Sequence, residues 1–129
     1  MRLALKFPKN VLDPPIIVPI SFGKEIFDEG DYAQVSCVVS SGDLPLQITW
    51  SLQGHRVQGG SKTGISTAPM GPRASFLSIQ SVSNQHSGVY TCTARNPAGF
   101  SSYSTNLIVN GKSKKAGVSG EMGSRYFLS

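Results

Sequence analysis

Between residues 14 and 110 apolar side chains recur at every second position in short runs. The stretch "AQVSCVV" sets Ala33, Val35, Cys37 and Val39 on one side and Gln34, Ser36 and Val38 on the other. "SFLSIQ" does the same with Leu77 and Ile79 against Phe76, Ser78 and Gln80. A period of two belongs to a strand with one buried face. Val, Ile, Thr and Tyr dominate these runs, and Gly, Pro, Ser and Asp interrupt them every eight to twelve residues or so, the rhythm of an antiparallel all-β domain. The pattern predicts strands over 16–21, 24–27, 32–39, 46–52, 64–68, 75–80, 89–95 and 100–109. No segment has a helical period and no unit repeats, so one sandwich of two sheets is expected.

Length agrees with that limit, since 129 residues hold one core plus some tail. The net charge of +5 changes the picture only through its location. From Pro14 to Asn110 five basic residues face five acidic ones, so the excess sits in residues 1–13 and 111–129. Basic ends of this kind read as solvated tails, and no nucleic-acid partner is expected. No apolar run is long enough to enter a membrane. Residues 1–13 begin like a signal peptide, but Lys6, Pro8 and Lys9 interrupt the apolar stretch, so the segment is not expected to direct secretion. Residues 111–129 alternate Gly, Ser and Lys without period and are expected to be disordered. Their Gly111-Lys112-Ser113 suggests a phosphate-binding loop, but Asn106 stands where that loop needs its first glycine. The expected organisation is an N-terminal tail (1–13), one domain (14–110) and a basic tail (111–129).

Cys37 and Cys92 each fall in mid-strand among inward positions, Val35 and Val39 beside the first, Tyr90 and Ala94 beside the second. Two strands on opposite sheets can bridge the sandwich through such thiols. Two unpaired buried cysteines are the alternative, while a metal site is disfavoured because neither His55 nor His86 lies at ligand spacing from a thiol. Trp50, thirteen residues after Cys37, weighs toward the bridge, because a large aromatic on the intervening strand would pack against it. Cys, Trp and Cys at this spacing resemble the immunoglobulin pattern, and Tyr90, two residues before Cys92, fits its tyrosine corner. Trp50, Tyr90, Leu77 and Ile79 are the expected core around the pair.

"LSIQSV" and "GVYTCTARNPAG", with Asn96 and Gly99 after the second cysteine, resemble the intermediate (I-set) immunoglobulin domains. One position departs from that set: His86-Ser87-Gly88 stands where Asp-Ser-Gly is usual. The change is expected to remove a hydrogen-bond acceptor from the turn, with His86 a solvated turn residue rather than a pH switch.

"DPPIIVPISFG", "VVSSGDLPLQITW" and "HSGVYTCTARNPAG" together resemble the arthropod Down syndrome cell adhesion molecule (Dscam) family. The likeness is to the alternatively spliced seventh immunoglobulin domain and to the first domain of the shortened chelicerate forms, and it covers about residues 13–110. The resemblance implies a cell-surface recognition module outside the plasma membrane, part of a larger receptor with neighbouring immunoglobulin domains. In the family an identical domain on an apposed cell is the partner, met antiparallel through the sheet of strands A, B, E and D, with roles in neuronal self-recognition, axon guidance and immunity. On that sheet alternation sends Gln34, Ser36, Val38, Phe76, Ser78 and Gln80 outward, and Lys24 and Glu25 are expected on the strand beside B. Phe76 is the expected anchor, or else is covered by a loop or tail such as the turn 70–73. A one-face contact should bury about 800 Å² per partner or less, so affinity is expected to be modest. The missing signal segment suggests one cassette of a receptor flanked by mispredicted sequence.

A heterophilic immunoglobulin receptor domain and a structural I-set domain of a cytoskeletal muscle protein share the core pattern and are the competing readings. Catalysis is not expected: His55 and His86 fall in different loops with no acidic neighbour, and the serines suit turns and exposed strand faces. No cofactor or metal site is expected.

Overall fold

A computed structural model of the chain describes residues 11–58 and 63–110. The segment 1–10 and the tail 111–129, for which disorder is expected, lie outside the described residues, as do residues 59–62. The strands are β1 (Ile16–Ile17), β2 (Ile26–Phe27), β3 (Ala33–Ser41), β4 (Gln47–Leu52), β5 (His55–Arg56), β6 (Ile65–Pro69), β7 (Ala74–Ile79), β8 (Gly88–Asn96) and β9 (Gly99–Val109). They form a four-stranded sheet in the order β1-β3-β7-β6 and a five-stranded sheet in the order β2-β9-β8-β4-β5. This is the I-set immunoglobulin sandwich, with β1, β3, β7 and β6 as strands A, B, E and D.

Alternation decides which side of each strand is buried. β3 buries Ala33, Val35, Cys37 and Val39, and β7 buries Leu77 and Ile79 against them in register. β8 supplies Tyr90, Cys92 and Ala94 from the other sheet. Cys37 and Cys92 form a disulfide across the sandwich with Cα atoms 6.4 Å apart. Closing a loop of 55 residues stabilises the fold by on the order of 4 kcal/mol in the chain-entropy model. Trp50, directly opposite Cys92 in register and 3% exposed, donates its indole N–H to Ser75 Oγ at 3.0 Å. That bond joins the two sheets a second time. Phe22 packs edge-on against Phe27 and Tyr90, filling the other end of the core.

Four features of the fold depart from the sequence expectations. The strand expected over 16–21 keeps only Ile16–Ile17, where its register on β3 already slips. Pro19 explains the shortening, because it removes a ladder donor within the expected span. The strand expected over 24–27 shrinks to Ile26–Phe27 and joins the five-stranded sheet, parallel to β9. A short strand, His55–Arg56, and a 3-10 turn, Asn84–His86, were not anticipated.

The turn preceding β8 shows what stands in for the usual aspartate. His86 is 4% exposed, not a solvated residue. Its Nδ1 accepts the Ser83 N–H at 2.9 Å, which leaves Nε2 to donate to the Thr63 carbonyl at 2.7 Å. A neutral imidazole thus supplies the acceptor expected to be lost and adds a tie to the segment before β6. The Tyr90 hydroxyl donates to the His86 carbonyl at 2.6 Å, completing the tyrosine corner.

Candidate recognition face

The outer face of the β1-β3-β7-β6 sheet is built in rows by the register of β3, β7 and β6. Gln34, Ser78 and Ser66 stand side by side, then Ser36, Phe76 and Ala68. The next row pairs Val38 with Ala74, and Met70 extends it by donating its N–H to the Ala74 carbonyl at 2.9 Å. Nothing in these three rows is ionisable. Val38 and Met70 are 40% and 46% exposed, and Phe76 is half-buried between its row neighbours. In register Phe76 stands between Ser36 and Ala68 on this face.

Two local features hold this face in place. Gly71, at φ +77°, reverses the chain between β6 and β7, a left-handed conformation that favours glycine. Arg73 then reaches back from the hairpin, its guanidinium donating to the Gly42 carbonyl at 2.8 Å. Gly42 itself sits where a Cβ would meet the Pro15 backbone at 2.6 Å, so β1 can approach the end of β3 only because that position has no side chain. At the same end Asn96 donates to the carbonyls of Asp13 and Asp43 at 2.7 and 2.9 Å. Its Oδ1 accepts the N–H groups of Ala98 and Gly99, which is what the sequence "NPAG" accomplishes.

The structure brings Gln34, Ser36, Val38, Phe76 and Ser78 together, with Gln80 exposed at the end of β7. Ser78 is a correction to the outward set in one respect: it is 8% exposed, its small side chain lying between its register partners Gln34 and Ser66. Lys24 and Glu25 are corrected outright. They precede β2, whose partner is β9, and line a shallow cleft with Thr105, Asn106 and Ile108 on the other sheet. Lys24 pairs there with Asp31 at 3.1 Å and lies over the Phe27 ring. Ala68, Met70 and Ala74 were missed. The even positions Ser66, Ala68 and Met70 do continue one alternating face, but Pro69, Gly71 and Pro72 read as turn chemistry and hid it.

The outer face of the second sheet is chemically different. Thr93 and Ser102 are cross-strand partners whose hydroxyls lie 3.1 Å apart, and Thr91 and Ser104 repeat this at 2.7 Å. Arg95 lies over the exposed Phe100 ring at 5.0 Å. Beneath, burial pushes the Tyr90 hydroxyl well above the usual tyrosine range. Among the described residues no group of three or more His, Cys, Asp or Glu is placed to hold a metal ion, and no helix is long and apolar enough to cross a membrane.

A two-sheet sandwich with an inter-sheet disulfide, a tryptophan beside it and a tyrosine corner defines a class of protein. The chain belongs to the immunoglobulin domain family, whose model matches residues 14–96. Within that family it is similar to the cell adhesion molecule Dscam1 of Drosophila melanogaster, 45% identical over 101 residues, and to the cell adhesion molecule DSCAML1 of Gallus gallus, 42% identical over 96. Those matches cover 78% and 74% of this chain but only 5% and 4% of the relatives, so the chain spans about a twentieth of their length. Among solved structures, the Dscam1 Ig7 domain, isoform 9, superposes with a TM-score of 0.72 at 45% identity, covering 74% of this chain and 99% of that one. An I-band fragment of titin superposes with a TM-score of 0.66 at 26% identity, covering 74% of this chain and 32% of that one. Both curated relatives are cell adhesion molecules.

Proposed function

We propose that this domain is the recognition module of a Dscam-type receptor at the cell surface, and that it binds an identical copy on an apposed cell. The observation that carries the reading is the outer face of the β1-β3-β7-β6 sheet: three rows of apolar and neutral polar side chains without an ionisable group. A two-fold contact sets a patch against itself, so any charge near the axis would meet its own kind. This face avoids that penalty and leaves Val38, Met70 and Phe76 available for burial. Its similarity to the Ig7 domain of Dscam1 supports an adhesion role, and the level of identity favours that lineage over the titin-like structural reading. The contact places the two sheets face to face with their strands antiparallel. One such patch gives modest affinity, and neighbouring domains and many copies raise it through effective concentration.

The test is two-colour bead aggregation with the full 129-residue chain on one colour and a sister variant on the other, accompanied by sedimentation equilibrium of the free chain. Clusters of a single colour and a weak monomer–dimer equilibrium are expected. A folded, oxidised chain that stays monomeric and forms no same-colour clusters overturns the homophilic reading in favour of a heterophilic receptor.

A further inference from the structure

Along each of three neighbouring strands the outer face alternates one large and one small side chain, and adjacent strands are out of step. On β3 Val38 is large and Ser36 small. On β7 Ala74 is small and Phe76 large, in register with Val38 and Ser36 respectively. On β6 and its extension Met70 is large and Ala68 small, in register with Ala74 and Phe76. The result is a checkerboard two rows deep.

We propose that the two-fold axis of the self-contact crosses these strands at the level of the Cys37–Ser75 pair, midway between the two rows, so that each large side chain seats on the partner's small one. The pairing rests on the homophilic reading and deepens it. Rotation about an axis perpendicular to the strands keeps each strand opposite its own copy and exchanges rows equidistant from the axis. Cys37 and Ser75, register partners whose side chains point inward, mark the midline between the rows. The exchange sets Phe76 on Ala74 of the second copy, Val38 on Ser36 and Met70 on Ala68, each contact occurring twice. Other axis positions seat fewer of the large apolar side chains. At the next midline, level with Val35 and Leu77, Phe76 would meet Ser78 and Gln34 would meet Ser36, but Val38 and Met70 would no longer face Ser36 and Ala68. An axis through either row sets Phe76 on Phe76 or Val38 on Val38, large against large and small against small. An axis along the strands between β3 and β7 keeps Phe76 over Ser36 and Val38 over Ala74 but brings Met70 toward Val18, an exposed residue beside Val38 whose N–H bonds the Val38 carbonyl, large against large. Surfaces that close over their own bumps exclude water and gain dispersion contacts that mismatched ones forfeit.

The test swaps knob and hole. In the full chain Phe76→Ala and Ala74→Phe should each weaken dimerisation by more than about tenfold, the first by removing the knob and the second by filling the hole. The double variant Phe76→Ala/Ala74→Phe restores a large–small pair at both contacts, so it should dimerise within about threefold of the parent and bind the parent poorly. A second variant needs no knob and hole: Ser36→Lys/Val38→Glu sets the introduced ammonium of each copy against the introduced carboxylate of the other and should self-associate, whereas Ser36→Lys or Val38→Glu alone should bind weakly. Sedimentation equilibrium reads all of these, with far-ultraviolet circular dichroism confirming the fold. A parent that dimerises while neither double variant recovers overturns the axis position and leaves the homophilic reading standing. A parent that remains monomeric overturns both.

Discussion

The two outer faces of the sandwich are made by the same alternation and use it differently. On the β2-β9-β8-β4-β5 sheet the outward residues of the central strands are largely Ser and Thr, and their hydroxyls bond sideways to one another, as Thr91 does with Ser104 and Thr93 with Ser102. Its exposed apolar side chains are scattered, Ile26 beside Ile108, Phe100 beneath Arg95, Val89 at the start of β8 and Tyr103 on β9. The β1-β3-β7-β6 sheet instead places Phe76 at the centre, flanked by small residues, with Val38 and Met70 exposed in the next row. A hydroxyl ladder satisfies its polar groups within the molecule and presents a fairly even surface. A checkerboard leaves hollows beside its large side chains, a relief that a second copy of the same pattern would match. Solvation alone would accept either arrangement; the difference is informative because it concerns shape, which water does not require.

The largest effect should come from placing one charge on each face. Phe76→Asp changes no inward-facing residue and sets two carboxylates close to the two-fold axis, so self-association should fall by more than about tenfold, equivalent to at least about 1.4 kcal/mol. Thr93→Asp, in the middle of the hydroxyl ladder, should leave self-association within about twofold and lower stability only modestly, by roughly 1 kcal/mol for the lost cross-strand bond. Sedimentation equilibrium of the two variants side by side measures the contrast. Equal dimerisation by the Phe76→Asp chain and its parent would remove Phe76 from the interface, and loss of dimerisation in Thr93→Asp alone would move recognition to the other sheet.

How far this contrast was legible in the sequence depends on the range of the interactions involved. The core was legible because period-two burial and the spacing of Cys37, Trp50, Tyr90 and Cys92 are local properties of strands. Outward positions on β3 and β7 followed from the same parity. Sheet membership did not. Lys24 and Glu25 were assigned to the wrong sheet because two or three residues of strand carry no information about which edge they join. Strand A and its continuation pass from one sheet to the other around Pro19 and Gly23, a switch set by tertiary packing. The checkerboard was hidden for a related reason, since it requires the register of three strands and the residue after β6. His86 shows a third kind of limit. Its replacement of a carboxylate reads as a loss until the structure shows Nδ1 on the Ser83 N–H and Nε2 on the Thr63 carbonyl, 23 residues away.

A smaller effect should separate the support of the fold from the recognition face. The Tyr90 hydroxyl is buried and bonded to the His86 carbonyl, and burial raises its pKa far above the ordinary value of about 10. The unfolded chain releases this proton as pH rises through about 10, while the folded chain retains it. Fewer protons on the unfolded state mean that stability falls with rising pH there, whereas the stabilisation is fully present below that point. Tyr90→Phe should cost about 1–2 kcal/mol at neutral pH, through the bond lost to a buried carbonyl, and should flatten the alkaline decline. Urea titrations of both chains between about pH 7 and 11 test the claim, and an alkaline limb unchanged in the variant would assign the decline to other groups. Dimerisation at neutral pH should be unaltered, since Tyr90 is on the inner side of β8.

The smallest effect should come from Lys24, whose change of sheet makes it a sensitive control on the comparison. Its ammonium bonds Asp31 at 3.1 Å and lies 4.8 Å from the Phe27 ring centre, but the side chain is 55% exposed. Solvent screens an ion pair so open, and such pairs contribute between about 0.2 and 1 kcal/mol, with a cation–π contact at an exposed site adding a similar amount. Lys24→Ala should therefore lower the unfolding free energy by no more than about 1 kcal/mol, and by less in high salt, as urea denaturation at two ionic strengths will show. Its dimerisation should equal the parent's, because the residue neighbours β9 and not β3. A Lys24→Ala chain that folds normally yet dimerises several-fold more weakly would mean that the contact wraps from the uncharged face around to the β2–β9 edge. In that case the axis position drawn from Cys37 and Ser75 would have to move with it.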